Sequence, residues 1–339
     1  MRQLRWIAIA FCAAAVTARL DYRIYQRLAV PIASVSMVLL IAVRLFFPPN
    51  KGSYRWINVA GFTFQPSELA KIAVILLFAW WLARNQRRID EFKRGILIPF
   101  GMLGCFALAI IVEPDFGTTL LISSVAVCMM FLGGVGIAPL LVTGLTGLIG
   151  VAVLISMNEE RMGRIIAFLD PQRYQQGEAW QLVNSLRAFA NGGEYGWWRG
   201  QGFGNSLQKY HYLPEAHTDF IFPILGEELG LIAALIVVAL YLALFALGLV
   251  IAFRARDDFG RFIAYGITLM ISIQALINFA VVTGCVPTKG LALPFISYGG
   301  SSLLISGVMI GILINIAHQS INPRAGSSRN MFRDRARKV

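Results

Sequence analysis

Five side chains in one short stretch of this sequence could move protons: Glu215, His217, Asp219, Glu227 and Glu228. Leu213-Pro214-Glu215-Ala216-His217-Thr218-Asp219-Phe220-Ile221-Phe222-Pro223 runs into Gly226-Glu227-Glu228-Leu229-Gly230 and then an unbroken apolar segment. Carboxylates at the edge of hydrocarbon carry a desolvation cost, so chemistry is an early candidate explanation for them. Pro223 is tolerated in the first turn of a helix, which predicts a helix start near Phe222 with Asp219 just before it, at the lip of a span. A carboxylate there is wet enough to ionise and could act as a general base on a hydroxyl, with Glu215 and His217 beside it. Equally, Thr218 or Asp219 could cap the helix and do no chemistry. Glu227 and Glu228 lie too far along to share a face with Asp219 and are expected to pair with basic groups elsewhere or to stay at the interface.

Three cations could hold an anionic group. Lys71, inside an apolar run, stands three residues after Glu68 in Gln65-Pro66-Ser67-Glu68-Leu69-Ala70-Lys71, a spacing that permits an ion pair; a lysine near the headgroups could instead bind a pyrophosphate. Arg55-Trp56 adds a second cation and an interfacial ring. Lys289 opens Pro287 to Ser302, a stretch too apolar for a free loop and too interrupted for a helix, as expected of backbone lining a cavity; snorkelling to the headgroups is the alternative. Glu113-Pro114-Asp115-Phe116-Gly117 reads as a structural turn, its two acids facing solvent. Gly200-Gln201-Gly202-Phe203-Gly204 has the look of a phosphate loop, but no buried strand precedes it, so nucleotide binding is not expected.

The elements that must position these groups are helices in a bilayer. Of 339 residues, 57% are hydrophobic and 14% charged, with a mean hydropathy of +0.65, outside the range of soluble domains. Nine apolar runs, at about 4–20, 29–47, 66–83, 96–112, 116–133, 138–157, 222–252, 261–283 and 301–318, predict an all-α polytopic membrane protein with about nine transmembrane helices and no barrel-like alternation. The four cysteines are scattered singly, which argues against a disulfide framework or a metal site.

The formal charge of +12 belongs to topology and not to nucleic acid. Alternate loops hold Arg19, Arg23 and Arg27, then Arg84, Arg87, Arg88, Lys93 and Arg94, then Arg254, Arg256 and Arg261, and finally the tail from Arg324 to Lys338; the positive-inside rule makes these cytoplasmic. The other set, apart from one long loop, holds only Arg2, Arg5, Lys51, Arg55 and Lys289. The expected organisation is one transmembrane domain over 1–318 and a basic cytoplasmic tail over 319–339. One large extracytoplasmic loop, 158–221, lies between helices six and seven, and its tryptophans and tyrosines favour an elaborate external region over a bare connector.

Taken together and in order, Arg55-Trp56-Ile57, Phe64 to Lys71, Pro114 to Thr118, Gly204-Asn205-Ser206-Leu207-Gln208-Lys209, Leu213 to Gly230 and Thr288 to Ser302 resemble the SEDS family (shape, elongation, division and sporulation) of the FtsW and RodA type, with wording closer to the division branch. The resemblance implies a peptidoglycan glycosyltransferase in the bacterial inner membrane, its active site facing outside, that polymerises lipid II during cell division or wall elongation. It sets the family's essential acid on Asp219, makes Lys71, Arg55 and Lys289 candidate cations for the leaving group, and brings Glu68, Glu215 and His217 into the same substrate site. It implies a class B penicillin-binding protein transpeptidase and divisome or elongation-complex proteins as partners. No cofactor is indicated, and a divalent cation is left open. Family members have ten spans with both termini inside, so a first span is expected to be missing here, by a misassigned start or a truncation. The loop carries Glu194-Tyr195-Gly196-Trp197-Trp198 where relatives are shorter, and some relatives have a basic residue at Thr63. Two rival functions are a flippase for the same lipid, suggested by the many spans and the intramembrane Glu68 and Lys71, and a non-catalytic scaffold.

Overall fold

A computed structural model describes residues 2–48, 54–59, 62–157, 159–194, 198–209 and 213–321. Lys51, Tyr195, Gly196, Trp197 and the basic tail from Arg324 lie outside the described residues. Each of the nine apolar runs is a helix: α1 (Arg2–Arg19), α2 (Arg23–Phe46), α3 (Pro66–Asn85), α4 (Ile98–Val112), α5 (Phe116–Leu132), α6 (Ile137–Ser156), α9 (Ile221–Arg254), α10 (Asp258–Val282) and α11 (Gly300–Ile321). Six helical stretches, Arg23–Phe46, Pro66–Arg88, Phe92–Val112, Ile221–Arg254, Asp258–Val282 and Gly300–Ile321, are long and apolar enough to cross a bilayer, and Phe116–Leu132 and Ile137–Val153 are shorter apolar helices. The chain is a multi-pass helical membrane protein. Two further helices, α7 (Glu159–Leu169) and α8 (Trp180–Glu194), occupy much of the expected long loop, and a small hairpin pairs β1 (Ile57–Val59) with β2 (Phe62–Phe64), Asn58 opposite Thr63.

The chain divides into two compact units. The first comprises 1–135, 245–270 and 303–339. Its centre is α3, 78% of whose most apolar window is buried, against 28% for α2. A helix apolar on every side belongs in the interior, and α2 and α5 pack against it. Carboxamides fix the ends of the outer helices: Asn315 of α11 donates to the Ala18 carbonyl (2.8 Å) and accepts from the Tyr22 amide (3.0 Å).

The second unit comprises 136–244 and 271–302. Its core gathers Leu213, Phe220, Phe222, Ile224, Val282 and Leu293, with Phe189 packed against them. Phe222 stacks at a tilt on Phe279, ring centroids 4.6 Å apart, and meets Phe189 edge-on at 5.8 Å. As expected from Pro223, α9 starts at Ile221. The helix is broken just before the long apolar segment begins, because Gly230 has φ 79° and ψ −179°, a conformation open essentially to glycine alone. The break frees the Glu227 and Glu228 carbonyls, which accept from the Gln201 and Gly202 amides (both 2.9 Å). A β-carbon on Gly200 would lie 2.5 Å from the Gly230 nitrogen, so the two backbones can touch only as glycines. The amides of the glycine-rich 200–204 turn are thereby partly committed to protein carbonyls.

Candidate active site

Residues 213–220 form a continuous turn leading into α9. Glu215 sits at φ 55°, and its carbonyl accepts from the Thr218 and Phe220 amides (3.1 and 3.3 Å). The Thr218 hydroxyl bonds back to the carboxylate and carbonyl of Glu215 (3.0 and 3.1 Å) rather than forward into the helix. Three successive carbonyls of this turn are then gripped from outside it. The Tyr298 amide donates to His217 (2.8 Å), Ser297 Oγ to Thr218 (2.5 Å) and Asn278 Nδ2 to Asp219 (2.8 Å). Asn278 also donates to the Leu291 carbonyl (2.7 Å), and one turn earlier on α10 Gln274 Nε2 donates to Ala292 (2.6 Å). Ser297 Oγ in turn accepts from the Leu293 amide (2.7 Å).

Residues 287–299 of the interrupted Pro287–Ser302 stretch are thus non-helical, α11 beginning at Gly300, and carboxamides of α10 satisfy the Leu291 and Ala292 carbonyls, as irregular backbone buried in protein requires. The stretch brings Gly290 against the catalytic candidate, since a β-carbon there would lie 2.5 Å from Asp219 Oδ2. Asp219 is half-buried, Glu215 and His217 are exposed, and the adjoining Lys289 is half-buried without an ion pair among the described residues. Burial lowers the Lys289 ammonium below its ordinary pKa. A held carboxylate, a lysine next to the glycine that seats it, and a main chain fixed at three consecutive carbonyls form an arrangement suited to proton abstraction beside an anionic leaving group.

Of the two inner acids Glu228 meets a basic group as expected, whereas Glu227 lies in the interior on neutral donors. Glu227 is fully buried and accepts from Asn191 Nδ2 (3.0 Å) and from the Ser206 hydroxyl, while Glu228 faces Lys209 Nζ at 3.6 Å. They belong to the support of the second unit rather than to the Asp219 turn.

Arg55, Glu68 and Lys71 lie in the first unit. Lys71 Nζ is 2.7 Å from Glu68 Oε1, with the residues 1% and 7% exposed, so the ion-pair reading describes them and a headgroup-facing lysine does not. Arg55 Nε donates to the Glu113 carbonyl (3.0 Å) and Nη2 to the Pro114 carbonyl, tying the approach to the hairpin to the α4–α5 turn. The acids of that turn do not face solvent. Asp115 is buried and caps α5, accepting from the Thr118 amide (3.1 Å) and hydroxyl (2.9 Å), while Glu113 is 0% exposed. Burial, then Asp115, push the Glu113 carboxyl up to about 8, partly opposed by Arg55. Among the described residues no group of three or more His, Cys, Asp or Glu side chains could hold a metal ion.

Fold and site together define a class: a multi-pass helical membrane protein with an aspartate on a clamped turn before a long apolar helix. The chain belongs to the FtsW/RodA/SpoVE family of cell cycle proteins, whose family model matches residues 1–322. It is 40% identical over 321 residues to a probable peptidoglycan glycosyltransferase FtsW of Geobacter sp. strain M18, covering 93% of this chain and 86% of the relative. It is 42% identical over 319 residues to the protein of the same description from Trichlorobacter lovleyi, covering 93% and 82%. Among solved structures it is similar to a chain in a peptidoglycan synthase complex studied for the coordination of polymerization and crosslinking (TM-score 0.78, 24% identity, 94% and 89% covered). It is also similar to the rod shape determining protein RodA of Thermus thermophilus (TM-score 0.70, 23% identity, 95% and 88% covered). These two likenesses show the fold.

Proposed function

We propose that this protein is a peptidoglycan glycosyltransferase of the bacterial inner membrane that polymerises lipid II at the outer face, with Asp219 as the general base. The observation that carries the proposal is the Asp219 carboxylate seated on Gly290, next in sequence to a half-buried Lys289. The relatives' description as probable peptidoglycan glycosyltransferases supports it. In this reaction the acceptor's 4-hydroxyl gives its proton to Asp219, its oxygen bonds to the donor's anomeric carbon, and the bond from that carbon to the pyrophosphate oxygen breaks. Lys289 balances the charge that grows on the departing pyrophosphate. Glu215 and His217 border the acceptor side of the turn. Arg55, Glu68 and Lys71 contribute to substrate binding in the first unit only by exchanging the protein partners they hold now. A class B penicillin-binding protein is the proposed partner, supported by the likeness to a synthase complex that couples polymerization to crosslinking. Cell division is the proposed setting, supported by the FtsW description of the relatives.

The test is polymerisation of purified lipid II by the full-length protein with its partner, comparing wild type with Asp219→Asn. Loss of polymer in the variant, with unfolding temperature unchanged, is expected; polymer of full length and yield would remove Asp219 from the chemistry.

A further inference from the structure

We infer that the first unit carries a binding site for the phosphate headgroup of an anionic phospholipid, at the junction of α3 and α4. A cavity of about 690 Å³ opens there, lined by Trp81, Arg84, Arg88, Glu91, Lys93 and Arg94 among others. Its size is that of a small-ligand pocket. Four basic side chains against one carboxylate leave it positive, and Glu91 is already engaged, by Arg88 at 2.5 Å and Arg94 at 3.4 Å. Arg84 and Lys93 form no ion pair among the described residues, and the Arg84 guanidinium lies over the Trp80 ring at 5.7 Å. Two cations are therefore available to a ligand, on a site already partly neutralised where the protein needs it to be.

Charge bias alone puts basic residues at the ends of spans, but it does not make them converge on a cavity. Here the backbone is shaped for it. The chain turns from α3 through a 3₁₀ turn at Gln86–Arg88 into a π-helical turn at Phe92–Leu97 before α4 begins, and wide turns of that kind are frequent at functional sites. A β-carbon on Gly95 would lie 1.9 Å from the Ile89 carbonyl oxygen, so the return of the chain is close-packed. Trp81 fastens it by donating its indole N–H to the Arg94 carbonyl (2.9 Å).

The ligand class follows from what adjoins the cations. Phe92 and Leu97, on the same turn, are 66% and 56% exposed, at the end of two helical stretches apolar enough to span a bilayer. A phosphodiester in the cavity would leave its acyl chains beside these side chains, and basic pockets at the ends of transmembrane helices suit such headgroups. A free phosphate satisfies the cations but makes no use of the apolar rim.

Native mass spectrometry of the full-length protein, exchanged into phosphatidylglycerol or phosphatidylcholine with the same acyl chains, tests the assignment. Wild type should retain phosphatidylglycerol about tenfold better, and Arg84→Gln/Lys93→Gln, which breaks no ion pair, should lose that preference. Arg27→Gln/Arg87→Gln, removing equal charge from exposed positions outside the cavity, should keep it. Equal retention of the two lipids by wild type, or an undiminished preference in Arg84→Gln/Lys93→Gln, would overturn the site. So would loss of the preference in the control variant, which would reduce the effect to net charge. Displacement of bound phosphatidylglycerol by millimolar inorganic phosphate would overturn the lipid as ligand and leave a soluble-anion site.

Discussion

Gly290 approaches Asp219 so closely that a β-carbon on the glycine would stand 2.5 Å from Asp219 Oδ2. No left-handed backbone is involved, since Gly290 is not among the positive-φ glycines. The requirement is for space alone, and the carboxylate occupies it. Gly290→Ala must therefore displace the carboxylate while leaving the backbone conformation permitted. Misplacement of a reacting group by about 1 Å costs about 10²-fold in rate, so polymerisation should fall by about that factor at an unchanged melting temperature. A variant that polymerises at the wild-type rate would show that the position of Asp219 Oδ2 does not matter to the reaction.

Asn278 joins the two segments that build the site. Its amide donates to the carbonyls of Asp219 (2.8 Å) and Leu291 (2.7 Å), and it is almost fully buried. Asn278→Ala leaves two carbonyls without a donor, at about 1–3 kcal/mol for each that stays buried. Asn278→Asp keeps the shape but places acceptor against acceptor, so it should be the more damaging of the two. Unfolding temperatures and polymerisation rates of the pair check this order, and an Asp variant as stable as the Ala variant would contradict it.

Much of this was legible in the sequence for one reason: bilayer thickness and proline geometry act locally. Nine apolar runs became nine helices, Pro223 set the start of α9 at Ile221, and the Glu68–Lys71 spacing became an ion pair. What escaped depends on partners distant in the chain. Asn278 and Gln274 were single polar residues in an apolar run, and their spacing of four was the available signal that one helix face reads someone else's carbonyls. The break at Gly230 is visible only once Gly200 is known to lie against it. Glu113 was misread because a Pro-containing turn suggests solvent, whereas the turn is covered and Arg55 spends its donors on the main chain.

Glu113 gives stability a pH dependence. Neither carboxylate oxygen has a hydrogen-bond partner among the described residues, and burial pushes its pKa from the ordinary 4.5 up to about 8. The folded protein holds this proton more tightly than the unfolded chain does. The contribution is therefore intact below about pH 4.5 and is lost progressively as the pH rises to about 8, reaching at most about 3 kcal/mol by pH 7. Glu113→Gln stays neutral across this window and should flatten the dependence. Melting temperatures measured through the window decide it: parallel slopes for wild type and variant would mean that Glu113 ionises freely in the folded state.

Lys289 places a limit on the alkaline side of activity. Burial lowers its pKa from the ordinary 10.5, so the ammonium loses its proton earlier than a surface lysine would. If it balances charge on the leaving pyrophosphate, the protonated form is the active one, and the rate of polymerisation must decline with rising pH before an ordinary lysine titrates. Lys289→Met removes the cation at every pH and should cost about 10²–10³-fold, the usual loss for one stabilising donor. Lys289→Arg cannot be deprotonated in this range, so whatever activity it retains should lack the alkaline decline. That difference in the pH–rate profile separates an electrostatic role from a structural one, because a lysine needed only for packing would leave the arginine variant with the wild-type profile.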